Sequence, residues 1–219
     1  MKMEKNKLIT RTVNVFDVHV RENEDNSSRT ITGRAIVFNT LSVPLYEDEK
    51  EVIYEKILPE AITDEVLGAS DIKMTMFHDR QLILARSNKG KGTLKYTVDE
   101  SGVTFEFDAP NTVDGDKALE LVKRGDIAGC SFAFSTYYYN EDYVECECKK
   151  KAEGKRETIY TVKRVLGIHD FTLAADPAYT ATSVEARELI PEREGKQEKY
   201  VSKDLKELRE TAKSKILIL

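Results

Sequence analysis

The sequence predicts a mostly β protein with a few short helices, arranged as a closed or nearly closed, mostly antiparallel β-barrel with the helices packed around it. Three observations lead there. Segments alternating apolar and polar residues outnumber segments of helical period, and period-two alternation marks a strand. Turn-forming residues separate these segments at short intervals. The helical segments do not alternate regularly with the strands, which disfavours a doubly wound parallel sheet.

Residues 8–20, LITRTVNVFDVHV, alternate at Val13 and Val15 and, after an irregularity, at Val18 and Val20, which reads as a strand. The polar RENEDNSSR (21–29) is a turn and TITGRAIVFN (30–39) a second strand, so the two form a hairpin. A loop at Pro44 leads to the strand EVIYEKI (51–57). Pro59 opens a helical stretch, PEAITDEVL, at the position where its missing N–H would have no partner. DIKMTMF (71–77) alternates and runs directly into His78. LKYTVDESGVTFEFDAP (94–110) is two strands joined at Asp99–Gly102, with Gly102 supplying the turn. DKALELVKR (116–124) is a helix, with Lys123 and Arg124 in its last turn and Gly125 just past its end.

SFAFSTYYYN (131–140) alternates as a strand, and the charged residues 141–157 form an exposed hairpin tip. ETIYTVKRVLGIHDFTLAA (157–175) is one or two long strands, followed by a loop and short helix in PAYTATSVEAR. The expected organisation is one domain over 1–191 and a charged, helical or disordered tail over 192–219, where Leu205, Leu208 and Ala212 share a helix face.

Composition narrows the function classes. A chain of 219 residues buries roughly 70% of its unfolded surface and folds without disulfides or metals. A net charge of −5 argues against general nucleic-acid binding, which needs Lys and Arg to displace counterions from phosphate. Three cysteines, Cys130, Cys146 and Cys148, are an odd and low count for a disulfide framework. The lone C-x-C would need about two more zinc ligands, and only His19, His78 and His169 could help, so neither metal nor cofactor is expected. No apolar segment follows a basic N-terminus, and no run approaches the ~20 residues of a membrane span, so the expected setting is cytoplasmic, away from membranes.

Three residues could carry nucleophilic chemistry. A serine attacks only with a base in hydrogen-bond reach and a third group to orient that base. Ser131 opens a strand after a Gly-terminated helix, in GDIAGCSFAF. His78 ends an alternating strand, in MTMFHDRQLILAR, and histidine is the side chain best matched to proton transfer near neutral pH. Asp170, in GIHDFTLAADPAY, is an acid in an apolar strand and needs a partner there. Its neighbour His169 is the rival for the third role, since successive strand residues face opposite ways and only one can point at His78. Taken singly, Ser131 reads as a turn serine ahead of a buried strand, and His78 as a surface histidine beside Asp79 and Arg80. His19 has no suggestive surroundings. The Gly-x-Ser-x-Gly pattern of the commonest small-molecule hydrolases is absent.

Four segments in order resemble the prohead maturation proteases of tailed bacteriophages: GRAIVFNTLS, MFHDRQLILARSNKGKGTLKYTVDESGVTFEFDAP, LELVKRGDIAGCSFAF and LGIHDFTLAADPAYTATSVEAR, spanning about residues 30–187. The resemblance implies a fold similar to the herpesvirus assembly proteases, a β-barrel ringed by helices. It implies a serine endopeptidase that cleaves a scaffold protein or the scaffolding segment of the major capsid protein, and often itself, inside the prohead in the host cytoplasm. Carried over to this chain, it makes Ser131 the nucleophile and His78 the base. Asp170 matches the family's acid, with Asp where Glu is common, while the herpesvirus proteases' second histidine keeps His169 open for that role. Backbone N–H groups near Ser131, with Arg80 or Arg86, are candidates to stabilise the oxyanion. A homo-oligomer is compatible with the herpesvirus likeness. The contrasting reading is a non-catalytic scaffold or capsid module that keeps the protease fold.

Overall fold

The computed structural model describes residues 7–12, 17–22, 27–151 and 154–175. The loop and short helix expected at 177–187 and the charged tail from 192 lie outside them. The described chain is mostly β, as expected, with fourteen strands in three sheets, two α-helices and one short 3-10 turn.

The first sheet holds six strands: β1 (Lys7–Thr12), β6 (Asp71–Met76), β7 (Asp79–Asn88), β8 (Lys91–Gly92), β11 (Gly129–Thr136) and β14 (Gly167–Ala174). Their order across the sheet is β1-β11-β14-β6-β7-β8. The second sheet runs β2 (His19–Val20), β3 (Thr30–Val37), β10 (Gly102–Asp108), β9 (Lys95–Asp99). The third runs β12 (Val144–Lys150), β13 (Arg156–Val162), β5 (Glu51–Ile57), β4 (Tyr46–Glu47). Pairing is antiparallel except between β13 and β5 and between β14 and β6.

The expected barrel closure is not seen. Among the described residues no sheet closes on itself: each is open, and several edges end in strands of only two residues. The expected strand over 8–20 is also divided. Its first part is β1, antiparallel to β11, and its end is β2, which makes the expected antiparallel pair with β3. The segment 157–175 becomes two strands in different sheets, β13 and β14.

The core forms where the first two sheets face each other. Phe171 on β14 meets Phe105 on β10 with ring centroids 6.4 Å apart, and Phe105 stacks on Phe107 at 6.2 Å. Ile31, Ile36, Ile72, Met74, Met76 and Phe134 are fully buried around them. The third sheet joins through Tyr138, just beyond β11, whose ring lies 5.0 Å from that of Tyr160 on β13.

Local signals explain the connections. Asp99 turns the chain between β9 and β10 by accepting the amides of Ser101 and Gly102, at 2.7 and 2.9 Å. Gly102 has φ +153°, and a Cβ there would lie 1.9 Å from the Ile36 carbonyl oxygen, so only glycine fits. The stretch from Pro59 is a 3-10 turn (Pro59–Ala61) followed by a separate helix α1 (Asp64–Ala69), which Thr63 caps by accepting from the Val66 amide. Helix α2 (Val113–Lys123) starts three residues earlier than its apolar period suggests, because Thr112 caps it through the Gly115 amide. Its end is as expected, with Gly125 at φ +78°. From there the chain enters β11, every residue of which is buried.

Candidate active site

The central strands of the first sheet have two chemically different faces. Paired residues on neighbouring strands point to the same side, and alternate residues of one strand to opposite sides. Phe132 pairs with Phe171, which pairs with Met74; Cys130 pairs with Leu173, which pairs with Met76. This face is apolar and packs on the second sheet. On the other face Ser131 pairs with Thr172 and Thr172 with Thr75, a row of hydroxyls across three strands. Asp170 lies two residues from Thr172 and so shares that face.

A bulge adjusts this part of β14. The register with β11 passes from Ala133↔Asp170 to Phe134↔Ile168, so His169 is the extra residue. Bulges re-aim side chains and are common beside active sites.

His78 reaches the hydroxyl face from the tip of the β6–β7 hairpin. Phe77 and His78 are the two turn residues between the paired Met76 and Asp79. Both have positive φ, +55° and +57°, as a type I′ turn requires. Asn-Gly is the usual sequence for that turn, and Phe-His costs about 1–2 kcal/mol per residue in the left-handed region. Two hydrogen bonds to β14 hold it: the Phe77 amide donates to the Leu173 carbonyl at 3.1 Å, and the His78 amide to Thr172 Oγ1 at 2.9 Å.

The His78 ring then joins the other two candidates. Its Nδ1 is 2.8 Å from Asp170 Oδ1 and its Nε2 is 2.8 Å from Ser131 Oγ. An ionised carboxylate only accepts, so Nδ1 carries the ring proton and Nε2 is left to accept from the serine. Asp170 and Ser131 are buried, 5% and 1% exposed, whereas the His78 side chain is 30% exposed. The carboxylate is therefore shielded from water, with the buried Ile168, Phe171 and Leu173 on the same strand, and the imidazole N–H is its charge-assisted partner.

The remaining candidates fall elsewhere. Both His78 nitrogens are engaged by Asp170 and Ser131, which leaves no ring position for His169. Burial, with the Arg80 charge nearby, lowers the His169 pKa and favours its neutral form. Arg86 is committed to Asp71, to which it donates two hydrogen bonds at 2.6 and 2.8 Å. Arg80 is exposed, two residues after His78. His19 is exposed and bonds the Asp17 carbonyl. Cys146 and Cys148 are exposed on β12, and Cys130 is buried behind Ser131 with its thiol pKa pushed up by burial. Among the described residues no group of three or more His, Cys, Asp or Glu is arranged to hold a metal ion.

Thr172 and Thr75 were not singled out from the sequence. A signal was present: Thr172 lies two residues from Asp170 in an alternating strand, so the two had to share a face.

A serine, a histidine and a carboxylate in hydrogen-bonded line, on a mostly β scaffold, are the arrangement that serine hydrolases use. The family model of the caudovirus prohead serine proteases matches residues 16–196, and the chain belongs to that family. The match includes all three residues, and the family is one of hydrolases acting on peptide bonds in the phage prohead. Comparisons with curated proteins and with solved structures return no significant match.

Proposed function

We propose that the protein is a serine endopeptidase in which Ser131 is the nucleophile, His78 the general base and Asp170 the residue that orients and charges His78. The observation that carries this reading is the His78 ring held between Ser131 Oγ and Asp170 Oδ1, at 2.8 Å on each side. His78 Nε2 takes the Ser131 proton as Oγ attacks a peptide carbonyl. Asp170 stabilises the imidazolium that forms. His78 then gives the proton to the leaving amine, and water, activated by the same histidine, hydrolyses the acyl-enzyme. Oxyanion stabilisation falls to backbone N–H groups around Ser131 and to Arg80, since Arg86 is held by Asp71.

Family membership supports the substrate: the scaffold protein, or the scaffolding segment of the major capsid protein, and the protease chain itself, cleaved within the prohead in the host cell. Approach from the His78 side fits the exposure pattern, because Ser131 is covered and His78 is not. The test is co-expression of the chain with its cognate capsid subunit, beside Ser131→Ala and His78→Ala. The wild type should clip the subunit or itself and both variants should leave them intact. Undiminished cleavage by Ser131→Ala would overturn the proposal.

A further inference from the structure

We infer that Thr172 is a positioning residue for His78, with Thr75 holding Thr172 in place. The inference rests on His78 acting as the base. Neither threonine has a place in the proton-transfer scheme above, yet both are completely buried, and their hydroxyls lie 2.9 Å apart on the catalytic face.

In a two-residue hairpin turn the amides of the two central residues fall outside the strand ladder. The Phe77 amide finds a backbone carbonyl on β14. The His78 amide has Thr172 Oγ1, at 2.9 Å. An amide N–H can only donate, so the threonine oxygen must be the acceptor. Thr75 Oγ1 donates to the same oxygen from the next strand, which fixes the Thr172 rotamer.

Thr172 is thus a short rigid link with three connections. It holds the backbone of the base. It lies two residues from Asp170, which orients the ring of the base. It is the cross-strand partner of Ser131, which the base must reach. One side chain therefore sets the position of His78 relative to both of its catalytic neighbours, through a turn that its own residues do not favour. The hydroxyl is what does this. A valine would fill the same space but take this acceptor away from the His78 amide.

The test compares Thr172→Val with Thr172→Ser in the full chain. The substrate is a peptide spanning the capsid-subunit site that the wild type cleaves. Thr172→Val should lower kcat about 10- to 100-fold with KM changed by no more than about three-fold, as expected for a misplaced reacting group. Its downfield proton NMR signal from the His78 Nδ1–H···Asp170 bond should shift or vanish. Thr172→Ser should restore the signal and bring kcat back to within a few-fold. A folded Thr172→Val with wild-type kcat and an unmoved signal overturns the inference. So does a folded Thr172→Ser that is as slow as the valine variant, a comparison made against His78→Ala if the valine variant does not fold. The NMR signal is read without substrate, so a wild type that shows it but cleaves nothing refutes the protease reading and not this one.

Discussion

Asp170 illustrates how one residue's surroundings select its partner. It is 5% exposed, between Ile168, Phe171 and Leu173, all of them buried. A charge in such a place requires a hydrogen-bonded counterpart, and the His78 Nδ1–H supplies it. The amide of an asparagine at this position would present an NH₂ or a weaker oxygen to the ring and favour the wrong tautomer. Asp170→Asn is expected to reduce kcat by about 10³–10⁴-fold, whereas His169→Gln should stay within a few-fold of wild type. Peptide-cleavage assays on both variants check this, and the reverse ranking would return the third role to His169. Alternation in the sequence had narrowed the choice to one of these two residues without deciding it. Strand pairing puts Asp170 on the face of Ser131, because Thr172 pairs with Ser131 and Asp170 shares the face of Thr172, and this favours Asp170 in the proposed third role. Ser131 and His78 were legible only through their order among the family's segments, since neither has a local pattern that marks it as reactive.

Among elements, the β6–β7 hairpin carries the greatest demand of the proposed mechanism, because its tip is His78. At its open end Asp71 binds Arg86 across the two strands and Lys73 on its own. Those hydrogen bonds, Arg86's first, hold the Asp71 carboxyl well below the ordinary carboxylate range. A depressed folded-state pKa means that the stabilisation is present above the unfolded value of about 3.9. It is lost as pH falls below that value, when the folded carboxylate must also take up a proton. The contribution is modest because the pair is well exposed. Asp71→Asn should therefore lower stability modestly near pH 7, with the difference from wild type shrinking as pH falls below about 4, which flattens part of the acid limb of the stability–pH curve. Urea melts across that range measure it. The two helices show what sequence signals can and cannot do. The end of α2 was readable from Lys123, Arg124 and Gly125, but its start was not read, because Thr112 and its Gly115 acceptor bond lie ahead of the apolar period.

Across the molecule, alternation announced the strands but not their partners. A period of two states which face a residue is on and says nothing of what lies beside it. Pairings between neighbours in sequence were accessible, as for β9 with β10 through Asp99 and Gly102. The parallel pairs β5–β13 and β6–β14 join segments distant in sequence, and no local signal names them. The division of the first predicted strand between two sheets had the same cause. The packing between sheets rests on few large side chains, of which Phe171 is fully buried and touches the second sheet through Phe105. Phe171→Ala should destabilise the fold by about 3–5 kcal/mol. A lowered urea midpoint with an unchanged slope would register that loss.

β14 is the last described strand to be synthesised, yet it occupies the middle of its sheet, between β11 and β6. A chain leaving the ribosome therefore carries His78 and then Ser131 long before the two have a scaffold in common. Without β14 the first sheet would be two separate halves, with His78 on one and Ser131 on the other. Its arrival joins the halves and delivers Asp170 and Thr172 in a single event. The three hydrogen-bonded side chains of the proposed site therefore come together only when the last described strand is in place.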